Sequence, residues 1–557
     1  SREISKQLNA LSTTKYAYPN SLYTRVTRHR KNRATPNDPG YDNDGDVGYD
    51  YQWHLKNDTN PNEDIADSQI ETLWNDYVGS SNEVIAVNDN GVEITHDDLS
   101  PNTINKHYDY VDGDTDPTPE AGDTHGTKVA GCAAAKGNNG IGVTGVAWNA
   151  GIIGHKLLGA TTDANEADAL SRNSDIIDIY SNSWGPTDGI GLLAGPGSLT
   201  QDALKYGAFR GRNKRGSIYT WACGNGGENS DNSNYDGYAN SRFVIAVGAT
   251  DNSGEELTYS EPGANVLINT PSGNVGDAGV DDITTTTTGN GYADDFDGTS
   301  AATPIASGAI ALILQANSKL TWRDVKYILI KTATQNDPTD GDWTTNGKGY
   351  NIHPRYGFGR INVLAAVNKA KSWNNVGQEL SITKSKSPKI AIPDDNSWVS
   401  SSINIPDKPD LKVEHVEVFF DSSDHGDWGD LEVRLISPEG TISTLVSPYP
   451  NADDSYSLNG WRMLTVRNWG EKAQGTWTLQ VRDTVNTGNN TGTFREWTLR
   501  IYGEYQNEDQ DFGEGSGGCS TFHTNKDQKS FGLLIPYLAF IIFALWLKIR
   551  KKSANYV

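Results

Sequence analysis

Between residues 51 and 372 the chain alternates short apolar runs with longer helix-like stretches, and no other feature narrows its fold as far. Glu83-Val-Ile-Ala-Val87 and Phe243-Val-Ile-Ala-Val-Gly248 read as buried strands, Ala301 to Ala316 and Trp322 to Thr332 as helices. Strands alternating with helices are joined by crossovers, which predicts an α/β domain on a parallel sheet. From 376 to about 504 the pattern changes. Glu414 to Phe420, Leu431 to Ile436, Thr476 to Val481 and Trp497 to Tyr502 read as short strands between turns, as in an all-β sandwich or jelly roll.

Composition excludes several alternatives. The 557 residues carry 47 Lys+Arg against 71 Asp+Glu, a net charge of −24, so nucleic acid is not an expected partner. Such acidity suits metal ions or basic peptides, and solubility alone would also account for it. With 35% hydrophobic residues, 15 Trp and 25 Tyr, the body is globular. Three Cys are too few for a disulfide framework.

The two ends differ from the body. Phe531 to Leu547 is 17 residues without a charge, followed by Lys548, Arg550, Lys551 and Lys552. This predicts a transmembrane helix (531–547) with a basic cytoplasmic tail (548–557), preceded by an acidic stalk (506–530). A GPI signal after Ser516-Gly517-Gly518 is the rival, disfavoured by the charged tail. At the other end, Arg25 to Arg33 holds five Lys/Arg in nine residues and reads as a processing site. No apolar leader begins at Ser1, so the natural N-terminus is expected further upstream.

Three motifs carry chemistry. Val87-Asn-Asp-Asn-Gly91 puts Asp89 at a strand end, His125-Gly-Thr-Lys-Val-Ala-Gly131 puts His125 at the start of a small-residue helix, and Gly298-Thr-Ser-Ala-Ala-Thr-Pro304 puts Ser300 at the start of an apolar one. A serine hydroxyl needs an imidazole to take its proton and a carboxylate to fix that imidazole's tautomer. An oxyanion needs donors. Asn225, in the Gly-rich turn of Trp221-Ala-Cys-Gly-Asn-Gly-Gly227, and the Ser300 backbone N–H are the candidates.

On these residues the chain resembles the subtilisin-type serine proteases, and within them the kexin/furin-like proprotein convertases. The matching stretches are Tyr51-Gln-Trp-His-Leu55, Asp123-Thr-His-Gly-Thr127, Tyr180-Ser-Asn-Ser-Trp-Gly-Pro186, Gly224-Asn-Gly-Gly227, Tyr235-Asp-Gly-Tyr238, Tyr259-Ser-Glu261 and Leu320-Thr-Trp-Arg-Asp324. Gly429-Asp-Leu and Leu435-Ile-Ser-Pro-Glu-Gly-Thr441 resemble that family's P domain. The resemblance implies a propeptide remnant (1–33), a subtilisin-like α/β peptidase domain (34–372), a β-jelly-roll P domain (376–505), then the stalk, span and tail. It implies catalysis by Asp89, His125, Ser300 and Asn225, on precursor proteins cut after paired basic residues of Lys-Arg or Arg-Arg type, with the chain's own propeptide as a further partner.

A buried guanidinium needs carboxylates around it. By resemblance Asp188 and Asp236 line the pocket for the residue before the cut, Asp123 faces the second basic residue, and Glu166 and Tyr238 face one further out, with Trp184 in the same substrate-binding set. Asn90, Gly122 and Ala194 stand where relatives carry acids, so the expectation is strict Arg/Lys before the cut and weaker demands beyond it.

Ca²⁺ is the expected cofactor. Asp109-Tyr-Val-Asp-Gly-Asp-Thr-Asp116 holds four acids in eight residues, without an EF-hand pattern. The resemblance singles out Asp109, Asp114 and Asp116 for one site, Asp46, Asp98 and Asn139 for a second, and Asp231 with Glu261 beneath the basic pocket. No His/Cys cluster suggests zinc. Cys132, Cys223 and Cys519 are not expected to pair, and Asn57 and Asn489 begin glycosylation sequons. The catalytic domain is expected on the lumenal or extracellular side, with self-cleavage after Arg33. A catalytically silent surface protein and a broad-specificity degradative subtilase are the competing readings.

Overall fold

The computed structural model describes residues 35–41, 52–56, 70–274, 282–407, 410–450, 457–486 and 491–505. Seven strands form one sheet: β1 (Val84–Asp89), β2 (Tyr108–Asp109), β3 (Gly151–Lys156), β4 (Ile179–Asn182), β5 (Ile218–Ala222), β6 (Val244–Thr250) and β7 (Val266–Pro271). Their order is β2-β3-β1-β4-β5-β6-β7, every pair parallel. Strands β1 and β3 to β7 are buried along their whole length, as helices on both faces require. β1 lies between β3 and β4, so the chain winds first to one side and then to the other. The carboxyl end of β1 is therefore a switch point, where such sheets open a crevice.

Among the described residues six α-helices accompany the sheet: α1 (His125–Ala134), α2 (Asp163–Ala169), α3 (Ser198–Lys214), α4 (Gly298–Ala316), α5 (Trp322–Thr332) and α6 (Val363–Ala370). α1 packs against α4, and α4 crosses the central strands. A hairpin, β8 (Ile283–Thr287) and β9 (Gly291–Phe296), leads into α4. A two-residue pair, β10 (Thr344–Thr345) and β11 (Asn351–Ile352), lies between α5 and α6. Among the described residues α4 is the one helix long and apolar enough to span a membrane, but it is buried in this core. The expected span at 531–547, with its stalk and tail, lies outside the described residues, as does the basic run before Arg33.

The second layer is antiparallel. One sheet runs β12 (Glu379–Lys386), β21 (Glu496–Tyr505), β15 (Leu411–Asp421), β18 (Asn459–Thr465). The other runs β14 (Val399–Ile405), β19 (Gly475–Asp483), β16 (Leu431–Ile436), β17 (Ile442–Val446), and β13 (Ile390–Ile392) pairs with β20 (Gly492–Phe494). β14, β19 and β21 alternate buried with exposed residues, as strands of a sandwich do.

The two layers share their apolar clusters. Val466 and Trp469 of the β-sandwich join the core around α4, while Leu193, Tyr235 and Ala264 of the α/β layer join the sandwich core. Polar contacts seal the joint. Arg323 on α5 donates from Nε to the Glu414 carboxylate at 2.8 Å and from Nη1 to the Gly377 carbonyl at 2.7 Å. Arg242 pairs with Glu379 at 2.7 Å. Lys326 donates to the Arg242 and Val244 carbonyls at 2.7 and 2.8 Å and faces His415 Nε2 at 3.1 Å.

Candidate active site

Asp89 ends β1 at the switch point, and His125 opens α1 beside it. His125 Nδ1 lies 2.8 Å from Asp89 Oδ1, which also accepts the Asn90 N–H at 2.8 Å. A carboxylate at Nδ1 places the proton there and leaves the Nε2 lone pair free to act as a base. Burial disfavours the imidazolium, but the Asp89 charge and hydrogen bond outweigh it and hold His125 above its ordinary value. The residue after His125 has to be small: a Cβ at Gly126 would lie 2.2 Å from the Gly91 carbonyl oxygen and 2.8 Å from Asp89 Cβ. The Asn90 side chain accepts the Gly126 N–H at 2.9 Å and fastens this helix start to the end of β1.

Ser300 sits in the first turn of α4. Pro304 lacks the N–H that would bond the Ser300 carbonyl, and the Ser183 hydroxyl donates to that carbonyl instead, at 2.9 Å. In return the Ser300 hydroxyl donates to the Ser183 carbonyl at 3.2 Å. Its resting partner is thus a backbone oxygen, and rotation about χ1 is what turns it to another acceptor. Asn225 follows β5. Thr299 donates to Asn225 Oδ1 from both its N–H (2.8 Å) and its hydroxyl (2.9 Å), so Nδ2 is the end left to donate to a ligand. Gly298, at φ +75°, makes the turn that brings α4 against Asn225.

Four carboxylates gather next to Asn225. Asp188 accepts the Asn225 N–H at 2.9 Å, Asp231 accepts the Gly189 N–H at 2.7 Å, Glu261 accepts the Gly226 N–H at 3.0 Å, and Asp236 accepts the Tyr238 N–H at 2.6 Å. Burial first, and their mutual repulsion second, push Asp231 up to about 6 and Asp236 up to about 8, and raise Glu261 well above the usual range. Asp188 is raised too, by burial. Such a group is complementary to cations, either a guanidinium or a metal ion. The sandwich steadies one wall: Tyr235 donates to the Ser447 carbonyl and accepts the Ser447 N–H at 3.0 Å, and Asn234 accepts the Leu464 N–H at 2.8 Å.

Glu166 is buried on α2, where the Tyr238 hydroxyl donates to it at 2.9 Å and that of Thr200 at 3.2 Å. Tyr238 in turn leans on Trp221 and Trp184, ring centroids 5.1 and 5.2 Å away. Trp184 therefore props this wall. Asp123 is half-exposed two residues before His125.

The expected metal residues divide. Asp98 is fully buried, accepts Asn139 Nδ2 at 2.7 Å and the Val143 N–H at 2.9 Å, and is raised by burial. Beside it stands Asp38, which the sequence reading missed. It accepts the N–H groups of Asn138, Asn139 and Gly140, and is pushed up to about 6 by burial, with Asp98 adding repulsion. Two buried carboxylates repelling each other fit a hard cation. Asp46 lies outside the described residues. Asp109 instead faces Lys156 Nζ at 3.1 Å, and Asp114 and Asp116 accept N–H groups within their own loop, from Asp116 and Thr118. That buried lysine already supplies a positive charge to the acidic loop, and distance along the chain hid it.

Among the described residues, one group brings a glutamate, an aspartate and a histidine within 4.8 Å of one another: Glu256, Asp340 and His353. Here His353 Nδ1 accepts the N–H groups of Arg355 (3.1 Å) and Tyr356 (3.2 Å), which puts the ring proton on Nε2, 3.3 Å from Asp340. An imidazole fixed this way carries its proton on Nε2 and does not offer that nitrogen to a metal.

Comparison with known proteins agrees with this geometry. The subtilase family model matches residues 80–359 and the proprotein convertase P-domain model matches residues 413–501. The chain belongs to the subtilase family, among the proprotein convertases that carry a P domain. It is 38% identical over 495 residues to human proprotein convertase subtilisin/kexin type 7, covering 86% of this chain and 61% of that one. A PC3-like endoprotease (variant B) of Hydra vulgaris is 38% identical over 499 residues (86% and 67%), and furin-1 of Xenopus laevis 35% over 497 (86% and 61%). This subtilase thus spans about three fifths of the length of the human protein. The crystal structure of the Aeromonas sobria serine protease superposes with a TM-score of 0.74 at 24% identity, covering 82% of this chain and 94% of that one, a likeness of fold.

Proposed function

We propose that this chain is a calcium-dependent serine endopeptidase that cuts precursor proteins after Arg or Lys. The observation that carries the reading is the Asp188–Asn225 hydrogen bond of 2.9 Å, which couples an acidic pocket directly to the candidate oxyanion loop. With a peptide bound, the Ser300 hydroxyl turns from the Ser183 carbonyl and attacks the scissile carbon. His125 Nε2 takes its proton, and Asp89 holds the imidazolium. Asn225 Nδ2 and the Ser300 N–H receive the oxyanion. His125 then returns the proton to the leaving amine, and water hydrolyses the acyl-enzyme by the same steps.

Asp188 and Asp236 receive the guanidinium. Calcium, when bound, supplies positive charge to buried carboxylates. Asp231 and Glu261 would hold one ion, and Asp38, Asp98 and Asn139, with Asp46, another. Asp109, Asp114 and Asp116 remain candidates for a third. Asp123, Glu166 and Tyr238 face outer substrate residues, and the missing acids at Asn90, Gly122 and Ala194 keep that demand weak. Maturation after Arg33, a membrane span at 531–547 and residence in the secretory pathway or at the cell surface complete the reading.

The test is Asp236→Asn on peptides with Arg before the cut. A rise of at least about tenfold in KM, with kcat nearly kept, is expected. An unchanged KM would remove Asp236 from the pocket.

A further inference from the structure

We infer that Arg355 is a positioning residue for this proposed site: it straps the segment that carries Glu261 and underlies Asn225. Its guanidinium donates from Nη1 to two carbonyls of one short stretch, Thr258 (2.9 Å) and Ser260 (2.9 Å). Its Nε faces Glu256 Oε2 at 3.3 Å, so the cation is braced from the same loop. The arginine backbone is held as well. Its N–H donates to His353 Nδ1, and a Cβ at Gly248 of β6 would lie 2.7 Å from its carbonyl oxygen.

The strapped segment touches the site at three points. The Tyr259 carbonyl accepts the Gly227 N–H at 2.8 Å, the Glu261 N–H donates to the Gly224 carbonyl at 3.2 Å, and the Glu261 carboxylate accepts the Gly226 N–H at 3.0 Å. Gly224 and Gly226 flank Asn225. One guanidinium therefore fixes the backbone from which an acid of the cation group projects, and on which the loop of Asn225 rests. The need is physical: Glu261 is 3% exposed and hydrogen-bonds Gly226, so a shift of its segment moves a buried carboxylate and the loop of Asn225 together. Two charge-assisted bonds to carbonyls oppose outward movement of that segment without placing a cation against the acids. The mechanism does not use Arg355 directly, because the guanidinium touches neither pocket nor triad residues.

This inference rests on the basic-pocket reading, and the experiment separates the two. Wild type, Arg355→Ala and Arg355→Lys are assayed on peptides with Arg or Ala before the cut, across a free-calcium titration. Active sites are counted with a serine-reactive phosphonate. Arg355→Ala should raise KM for the Arg peptide and the half-saturating calcium concentration about tenfold each, and lower kcat too, because the loop of Asn225 rests on the same segment. Arg355→Lys, which keeps the charge, should lie between. A lower melting temperature with unchanged KM and calcium midpoint would overturn the strap. Should Arg355→Ala fail to fold, Arg355→Lys decides alone: intermediate values uphold the strap and wild-type values overturn it. A wild type that treats both peptides alike sinks the basic pocket, while the calcium midpoint still reads the strap.

Discussion

At the residue scale, two oxygens set the orientation of the proposed catalytic groups: Asp89 Oδ1 fixes the His125 tautomer, and Asn225 Oδ1 is held by Thr299. Asn225→Ala should lower kcat about 10²- to 10³-fold with KM little changed, because the lost donor acts on charge that develops only in the transition state. A proportionate rise in KM instead would mean that Asn225 binds ground-state substrate. As candidates, Asp89, His125 and Ser300 stood out in the sequence because each sits beside glycines or small residues that its turn or close approach requires, and Gly126 against Asp89 is the plainest case. Their partners were not. Ser183, Thr299 and Asp38 are a generic serine, threonine and aspartate, and only folding brings them to Ser300, Asn225 and Asp98. Lys156, far along the chain from Asp109, was hidden for the same reason.

At the element scale, helix α5 carries the polar joint between the layers. Its Arg323 faces a fully buried Glu414, so Arg323→Ala strands a carboxylate and should cost about 3–5 kcal/mol of stability by denaturant unfolding. A cost under about 1 kcal/mol would show that the joint does not depend on this pair. One turn away, burial pushes Lys326 down to about 7 from 10.5. Between those values the unfolded chain binds a proton that the folded one does not, so stability rises with pH across the window, and the penalty is complete below about 7. Lys326→Met should therefore melt higher relative to wild type at pH 7 than at pH 10, and an equal difference at both would refute the charge argument. Alternating apolar runs forecast these helices and strands well. The joint was beyond such patterns, since Glu414 and His415 meet Arg323 and Lys326 of α5 only in the folded chain.

At the scale of the whole molecule, the charge of −24 is uneven. Residues 1–33 carry +7 and residues 548–557 carry +4, leaving −35 between them. Part of that charge is concentrated in two groups of carboxylates, buried Asp231 and Glu261 with half-buried Asp236 and exposed Asp188, and buried Asp38 with Asp98, and each of the six is raised there. A fold that buries unpaired acids in two places is expected to be completed by cations, one of them the substrate's own. Chelation should therefore lower both activity and melting temperature, and calcium should restore them. A melting temperature indifferent to chelator would argue that the acids stay protonated instead. The most direct measurement is kcat/KM of the purified chain, active sites titrated, on matched peptides with Arg or Ala before the scissile bond at saturating calcium. At least about a hundredfold preference for Arg is expected, because Ala leaves the pocket carboxylates Asp188 and Asp236 without a cation partner; equal values for the two peptides would contradict the proposed basic pocket.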